Sequence, residues 1–268
     1  MTARFDLDTA VVDLGGGSYS ARMDRGWWIE RGPNGGYVAA VVLRALQVAV
    51  GDPDRTPRSL TVHYLAPPAE GPVQIDTTVE RSGRMLSFLA ARLRQGDRLL
   101  ATAQAAFALP LPGVEFCDLD PPDVPDPDDV ATSVAPPSVP VIPMREHYEM
   151  RWCIGSPPFS GAPEAVVGGW IRLKEPRTVD HPLIAAITDA WMPPVFSRVS
   201  ERLAVPTVDL TVHFRGPLPP PGQDDWFLVV FRTQVAADGF LEEDGEVWSR
   251  DRRLLAHSRQ LAVLLPIP

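Results

Sequence analysis

From Thr207 the chain alternates polar and apolar residues, Thr207-Val208-Asp209-Leu210-Thr211-Val212-His213-Phe214, and then enters the turn Arg215-Gly216-Pro217. A period of two predicts a strand with one buried face. The same pattern stands about 150 residues earlier, in Leu60-Thr61-Val62-His63-Tyr64. Leu, Thr, Val and His match in order, an aromatic residue follows, and each copy then meets prolines: Pro67-Pro68-Ala69-Glu70-Gly71-Pro72 and Pro217-Leu218-Pro219-Pro220-Pro221-Gly222. A strand-and-turn echo of this kind predicts two versions of one domain.

The rest of the pattern fills in both versions. A strand is expected around 18–23, followed by the pair Trp27-Trp28, and little else is legible before residue 33. After Gly32-Pro33-Asn34-Gly35-Gly36, residues 37–50 are small and apolar apart from Arg44 and Gln47, which predicts a mostly buried helix ended by Gly51-Asp52-Pro53. Strands are predicted at 59–65, 73–81, 85–94 and 98–109, with Ser82-Gly83 and Gln95-Gly96-Asp97 as hairpin breaks. In the second version strands are predicted at 147–154 and 166–174, then a helix from Asp180 to about Met192. Asp180 reads as its N-cap, Pro182 lies in its first turn, and Pro193-Pro194 end it. Strands follow at 208–215, 226–236, 241–249 and 254–265. One buried helix wrapped by an antiparallel meander describes an α+β hot-dog domain, although other α+β layouts share the pattern.

Between the copies, residues 110–143 hold ten prolines and seven acids. They are expected to run extended over the surface rather than form a core, with a proline-rich docking ligand as the other reading. The expected organisation is an N-terminal domain at 1–110, a linker at 111–145 and a C-terminal domain at 146–268. A length of 268 residues accommodates two cores of this size.

A net charge of −9 argues against general nucleic-acid or anionic-membrane binding. The start lacks an apolar signal core, and no apolar run reaches membrane-spanning length. Cys117 and Cys153 make no disulfide framework, and the five histidines lack zinc spacing. The default expectation is a cytoplasmic protein without a metal. No G-x-S-x-G elbow, Walker loop or G-x-G-x-x-G is present.

Candidate chemistry comes from the places where the copies differ. The first helix region, 34–50, contains no acid, whereas the second carries Asp189. Ala185, Ala186 and Met192 are its helical neighbours, so no cation stands at pairing distance, and an acid late in a helix opposes the dipole. A residue so unfavourable locally marks either a site or an exposed acid at a fraying end. At the start of the repeated strand Thr207 replaces Pro57, and near the end of the last strand Gln260 replaces Ala105. A carboxylate, a hydroxyl and an amide could hold and deprotonate a water molecule. Gly35-Gly36 open a helix whose bare N–H groups could receive a thioester oxygen as it becomes negative, or could simply permit close packing. His63 and His213 occur in both copies, which suits scaffold better than chemistry.

These residues resemble the acyl-CoA thioesterase II family. The likeness is carried by Thr207-Val208-Asp209-Leu210-Thr211-Val212-His213-Phe214 with Asp189 and Gln260, and in the first copy by Asn34-Gly35-Gly36-Tyr37, Val62-His63-Tyr64-Leu65 and Arg81-Ser82-Gly83-Arg84. The resemblance implies two fused hot-dog domains and a water-activating triad of Asp189, Thr207 and Gln260. Asn34, Gly35 and Gly36 are then expected on the substrate and oxyanion side. Asn34 stands where the family commonly has His. The implied substrate is an acyl-CoA, with coenzyme A entering as part of the substrate and no separate cofactor, and association into a homo-oligomer is a further expectation. Two other readings remain: an acyl-chain binder with weak or no catalysis, and a hot-dog hydratase or dehydratase, which would need a His partner for Asp189.

Overall fold

The computed structural model describes residues 2–133, 142–222 and 225–267. In chain order the elements are α1 (Arg4–Asp8), β1 (Val12–Gly15), β2 (Ser18–Met23), α2 (Gly35–Ala49), β3 (Thr56–Tyr64), β4 (Gly71–Ser82), β5 (Leu86–Gln95) and β6 (Arg98–Ala108). After the linker come β7 (Tyr148–Gly155), β8 (Ala165–Leu173), α3 (His181–Ile187), α4 (Val195–Arg198), β9 (Leu203–Ala204) and β10 (Thr207–Phe214). The chain closes with β11 (Phe227–Thr233), β12 (Ala236–Ala237), β13 (Phe240–Ser249), β14 (Leu254–Val263) and β15 (Leu265–Pro266).

Among the described residues, one antiparallel sheet of 13 strands runs β1-β2-β4-β5-β6-β3-β10-β14-β13-β11-β8-β7, with β12 beside β13. The order reads the same from either edge, one half mirroring the other. The echo strands β3 and β10 meet at the centre, Thr61 opposite Thr211, with Leu60 facing Val212 and Val62 facing Leu210. The Thr61 and Thr211 hydroxyls lie 3.0 Å apart at the point where the two copies cross. On the inner face Leu60, Val62, Leu210 and Val212 are buried, while His63 and His213 are exposed on the other face.

The inner face packs against α2 and α3, which also pack on each other. Ten residues of α2 are buried, so its apolar character follows from being enclosed by sheet and helix together. Together these elements form the double hot-dog arrangement, an α+β fold. Register also supports the alignment of the copies. Leu60 pairs with Ala105 and Leu210 with Gln260, while Pro57 pairs with Phe107 and Thr207 with Ala262.

Three features depart from the pattern. The N-terminal segment adds α1 and β1, and Trp27 stacks between Tyr37 (5.1 Å) and His147 (4.1 Å), joining the two halves. The linker is tied down: Trp170 Nε1 donates to the Pro125 carbonyl at 2.9 Å, and Arg250 pairs with Asp126 at 2.6 Å. Linker residues 134–141 lie outside the described residues. Finally, the second helix is shorter than its apolar run. Asp180 caps α3 by accepting from Leu183 N–H at 2.9 Å, as expected, but the helix closes at Thr188, whose hydroxyl bonds back to the Ala185 carbonyl. Asp189 N–H then reaches the Ala186 carbonyl in a tightened turn. Pro193 and Pro194 cannot extend the helix, so the turn forms ahead of them. No helix of the described residues is long and apolar enough to cross a membrane.

Candidate active site

Asp189 therefore sits just beyond α3, not within it, and its side chain points at the other half of the chain. Its Oδ2 accepts from Gly36 N–H at 2.9 Å and from Asn34 Nδ2 at 2.9 Å; Asn34 Nδ2 also reaches the Asp189 carbonyl at 2.6 Å. Asn34 is the N-cap of α2, its Oδ1 accepting from Tyr37 N–H. The carboxylate unfavourable for its own helix is thus favourable for its neighbour, because it meets the unpaired N–H groups and positive dipole end of α2.

The two glycines are required by this approach. A Cβ on Gly35 would stand 2.9 Å from Asp189 Oδ2, and one on Gly36 would stand 2.5 Å from the Ala186 carbonyl. Gly36 thus approaches the backbone of α3, while the Cβ on Gly35 would also meet Tyr64 of β3 at 3.3 Å. The Gly36 N–H, one of the groups expected to face a thioester oxygen, here serves Asp189. Tyr64, the aromatic end of the first echo, donates its hydroxyl to the Gly35 carbonyl at 2.8 Å.

On the other side of Asp189, the start of β10 and the end of β14 bring in Thr207 and Gln260. Thr207 Oγ1 donates to Gln260 Oε1 at 3.0 Å, and Gln260 Nε2 reaches Asp189 Oδ1 at 3.4 Å, at the long end of hydrogen bonding. Gln260 stands between the other two; no hydrogen bond joins Thr207 to Asp189 among the described residues. All three residues that distinguish copy two from copy one are therefore brought together, and Asn34, Gly35 and Gly36 of copy one complete the surround.

Withdrawal from water pushes the Asp189 carboxyl up from the ordinary 3.8 to about 6, against hydrogen bonds from Gly36, Gln260, Gly35 and Asn34 that favour its charged form. A carboxyl poised there can accept a proton near neutral pH. Burial, then the Asp189 charge, pushes the Tyr64 and Tyr148 hydroxyls up.

Glu243 is a site neighbour that sequence reasoning missed. It lies on β13 directly across from Gln260, is 6% exposed, and accepts from Gln260 Nε2 at 2.7 Å. Burial, then the Asp189 charge, pushes its carboxyl well above the usual carboxylate range. The signal was present in the alternation of β13, where Leu241, Glu243, Gly245 and Val247 form the inward set.

A sequence profile for the acyl-CoA thioesterase N-terminal domain matches residues 24–108, and one for the acyl-CoA thioesterase C-terminal domain matches residues 120–264. The chain belongs to the acyl-CoA thioesterase family. An uncharacterised protein of Mycobacterium tuberculosis, Rv0499, is 26% identical over 270 residues, covering 92% of this chain and 90% of that protein. Among solved structures, a conserved hot-dog protein of unknown function from Alicyclobacillus acidocaldarius is 29% identical, with a TM-score of 0.88 over 100% of both chains. A candidate thioesterase II from Thermobifida fusca is 26% identical, with a TM-score of 0.82 over 97% of both chains. The acyl-CoA thioesterase II TesB2 of Mycobacterium marinum shares the fold at a TM-score of 0.78, with 19% identity over 98% of both chains.

Proposed function

We propose that this protein hydrolyses an acyl-CoA thioester by direct attack of water. The observation that carries the reading is the bonded set of Asp189, Gln260 and Thr207, centred on a carboxyl tuned to about 6. Asp189 takes a proton from water as the water oxygen bonds to the thioester carbonyl carbon. Gln260 and Thr207 orient that water. The tetrahedral intermediate then expels the coenzyme A thiolate, and Asp189 returns the proton to sulfur, leaving free acid and thiol.

We infer that Asn34 and Gly36 serve the base more than the thioester oxygen, because their donors are already spent on Asp189. They hold the charged form within reach and keep its pKa from rising further. The hydratase reading finds no support, since no histidine hydrogen-bonds Asp189 among the described residues.

Thiol release from a panel of acyl-CoAs tests the proposal. Wild type should turn over at least one chain-length class, and Asp189→Asn should lose roughly 10²- to 10⁴-fold in kcat, the usual worth of a positioned base. Intact acyl-CoA recovered from wild type after long incubation would favour an acyl-chain binder. Unchanged turnover in both Asp189→Asn and Gln260→Ala would remove the assignment.

A further inference from the structure

The Gln260 amide has three hydrogen-bonding directions in use. Its oxygen accepts from Thr207 at 3.0 Å, one N–H direction points to Glu243 at 2.7 Å, and the other reaches Asp189 at 3.4 Å. An amide turned over by half a rotation would present its oxygen to two carboxyl groups and its NH₂ to the Thr207 hydroxyl. Asp189 as an anion can only accept, so the observed orientation is the one that suits it. The Asp189 carboxylate therefore selects which end of the amide faces it, but across a long contact, and the short bond to Glu243 restrains the amide in that orientation.

Glu243 is an expensive residue to keep at this place. It occupies an inward position of β13 between Leu241, 2% exposed, and Val247, 0% exposed. No cation pairs with it among the described residues, and its side chain is held by Gln260. Ala105, the copy-one equivalent of Gln260, pairs with Leu89 of β5, so the buried Gln–Glu cross-strand pair belongs to copy two alone. A buried carboxyl without a cation destabilises the fold unless it is neutral and hydrogen-bonded. Burial, then the Asp189 charge, pushes its carboxyl well above the usual carboxylate range.

We propose that Glu243 is a positioning residue of the site: by taking one N–H of Gln260 it restrains the amide in the orientation that Asp189 selects, with the oxygen on Thr207 and the second N–H facing Asp189. This rests on the hydrolytic reading above for its effect on turnover, but the amide geometry itself can be tested without catalysis. Removing the acceptor leaves a buried N–H unpaired and the amide free to turn, and turnover falls because the water loses its orientation.

The experiment uses the full chain with Glu243→Leu and Glu243→Gln, checked for cooperative thermal unfolding. In nitrogen-edited NMR, the Gln260 NH₂ signals, assigned by their loss in Gln260→Ala, should be exchange-protected in wild type, lose protection in Glu243→Leu and regain it in Glu243→Gln. In the hydrolysis assay Glu243→Leu should lower kcat roughly 10- to 100-fold with KM within about threefold, as expected when a buried donor is orphaned, and Glu243→Gln should restore most of that loss. Unchanged amide protection in Glu243→Leu overturns the proposal even if no thioester is hydrolysed. So does a kcat within twofold of wild type for Glu243→Leu, or a Glu243→Gln enzyme as impaired as Glu243→Leu. If wild type is inactive while the amide signals behave as described, the hydrolytic reading fails and the positioning role stands.

Discussion

Asp189→Asn should make this protein more stable while disabling it, and the gain should depend on pH in a defined way. Between the ordinary 3.8 and about 6, the folded chain keeps the Asp189 proton that the unfolded chain releases. Rising pH through that window therefore favours unfolding of wild type and leaves the asparagine variant untouched. Each tenfold in an ionisation equilibrium is worth about 1.4 kcal/mol, so the full swing amounts to about 3 kcal/mol. Asparagine can turn its oxygen toward Gly36 and Asn34, the two donors on Oδ2, so most of the local bonding survives. For a chain near this size, about 3 kcal/mol corresponds to roughly 6–12 °C in Tm. The assay is thermal unfolding of both proteins at several pH values from 4 to 8. The difference in Tm should open between pH 4 and pH 6 and then level off, with the variant higher. A difference that stays constant across this range, or that opens in wild type's favour, would refute the reasoning.

Other substitutions separate the roles of the surrounding groups. Asn34→Ala removes the N-cap of α2 and two bonds to Asp189; it should cost about 1–2 kcal/mol in denaturant unfolding and raise the apparent pKa of the Asp189 limb, and an unmoved limb would show that Asn34 does not tune the base. Gly36→Ala places a methyl group 2.5 Å from the Ala186 carbonyl, so α2 and α3 must part, with an expected loss of about 1–3 kcal/mol; a Tm within a degree of wild type would contradict the close approach. Tyr64→Phe removes the bond to the Gly35 carbonyl and should cost about 1 kcal/mol, with a small change in kcat.

Much of the fold was legible because its strongest sequence signal is also its centre. The Leu-Thr-Val-His echo consists of β3 and β10, which pair antiparallel about Thr61 and Thr211, so the repeated segments are the strands that join the copies. The break in the echo pointed to Thr207 and Gln260 because both stand at register positions that copy one fills with Pro57 and Ala105. Asp189 was legible as a misfit in an apolar segment. Its remedy was not, because the N–H groups that satisfy it belong to a helix more than 150 residues away. The same contact is invisible at Gly35 and Gly36, where the sequence is compatible with an anion cradle and with close packing alike and does not show that a carboxylate arrives from the other half. The apolar pattern overshoots the end of α3 because apolar residues continue past it, whereas the turn is set by a threonine hydroxyl and by prolines five residues on. Glu243 was hidden among the neighbouring acids Glu242, Asp244 and Glu246, which lie on the outward positions of β13. Only strict alternation separates it from them.

The most direct test of the central claim is the pH dependence of kcat/KM for whichever acyl-CoA wild type hydrolyses best. A base that must be ionised makes the rate rise with pH and then level off. The ascending limb should have an apparent pKa of about 6, the value its withdrawal from water gives Asp189. A rate that is flat from pH 5 to pH 8, or a limb near the ordinary carboxylate value, would contradict the assignment of Asp189 as the group that activates water.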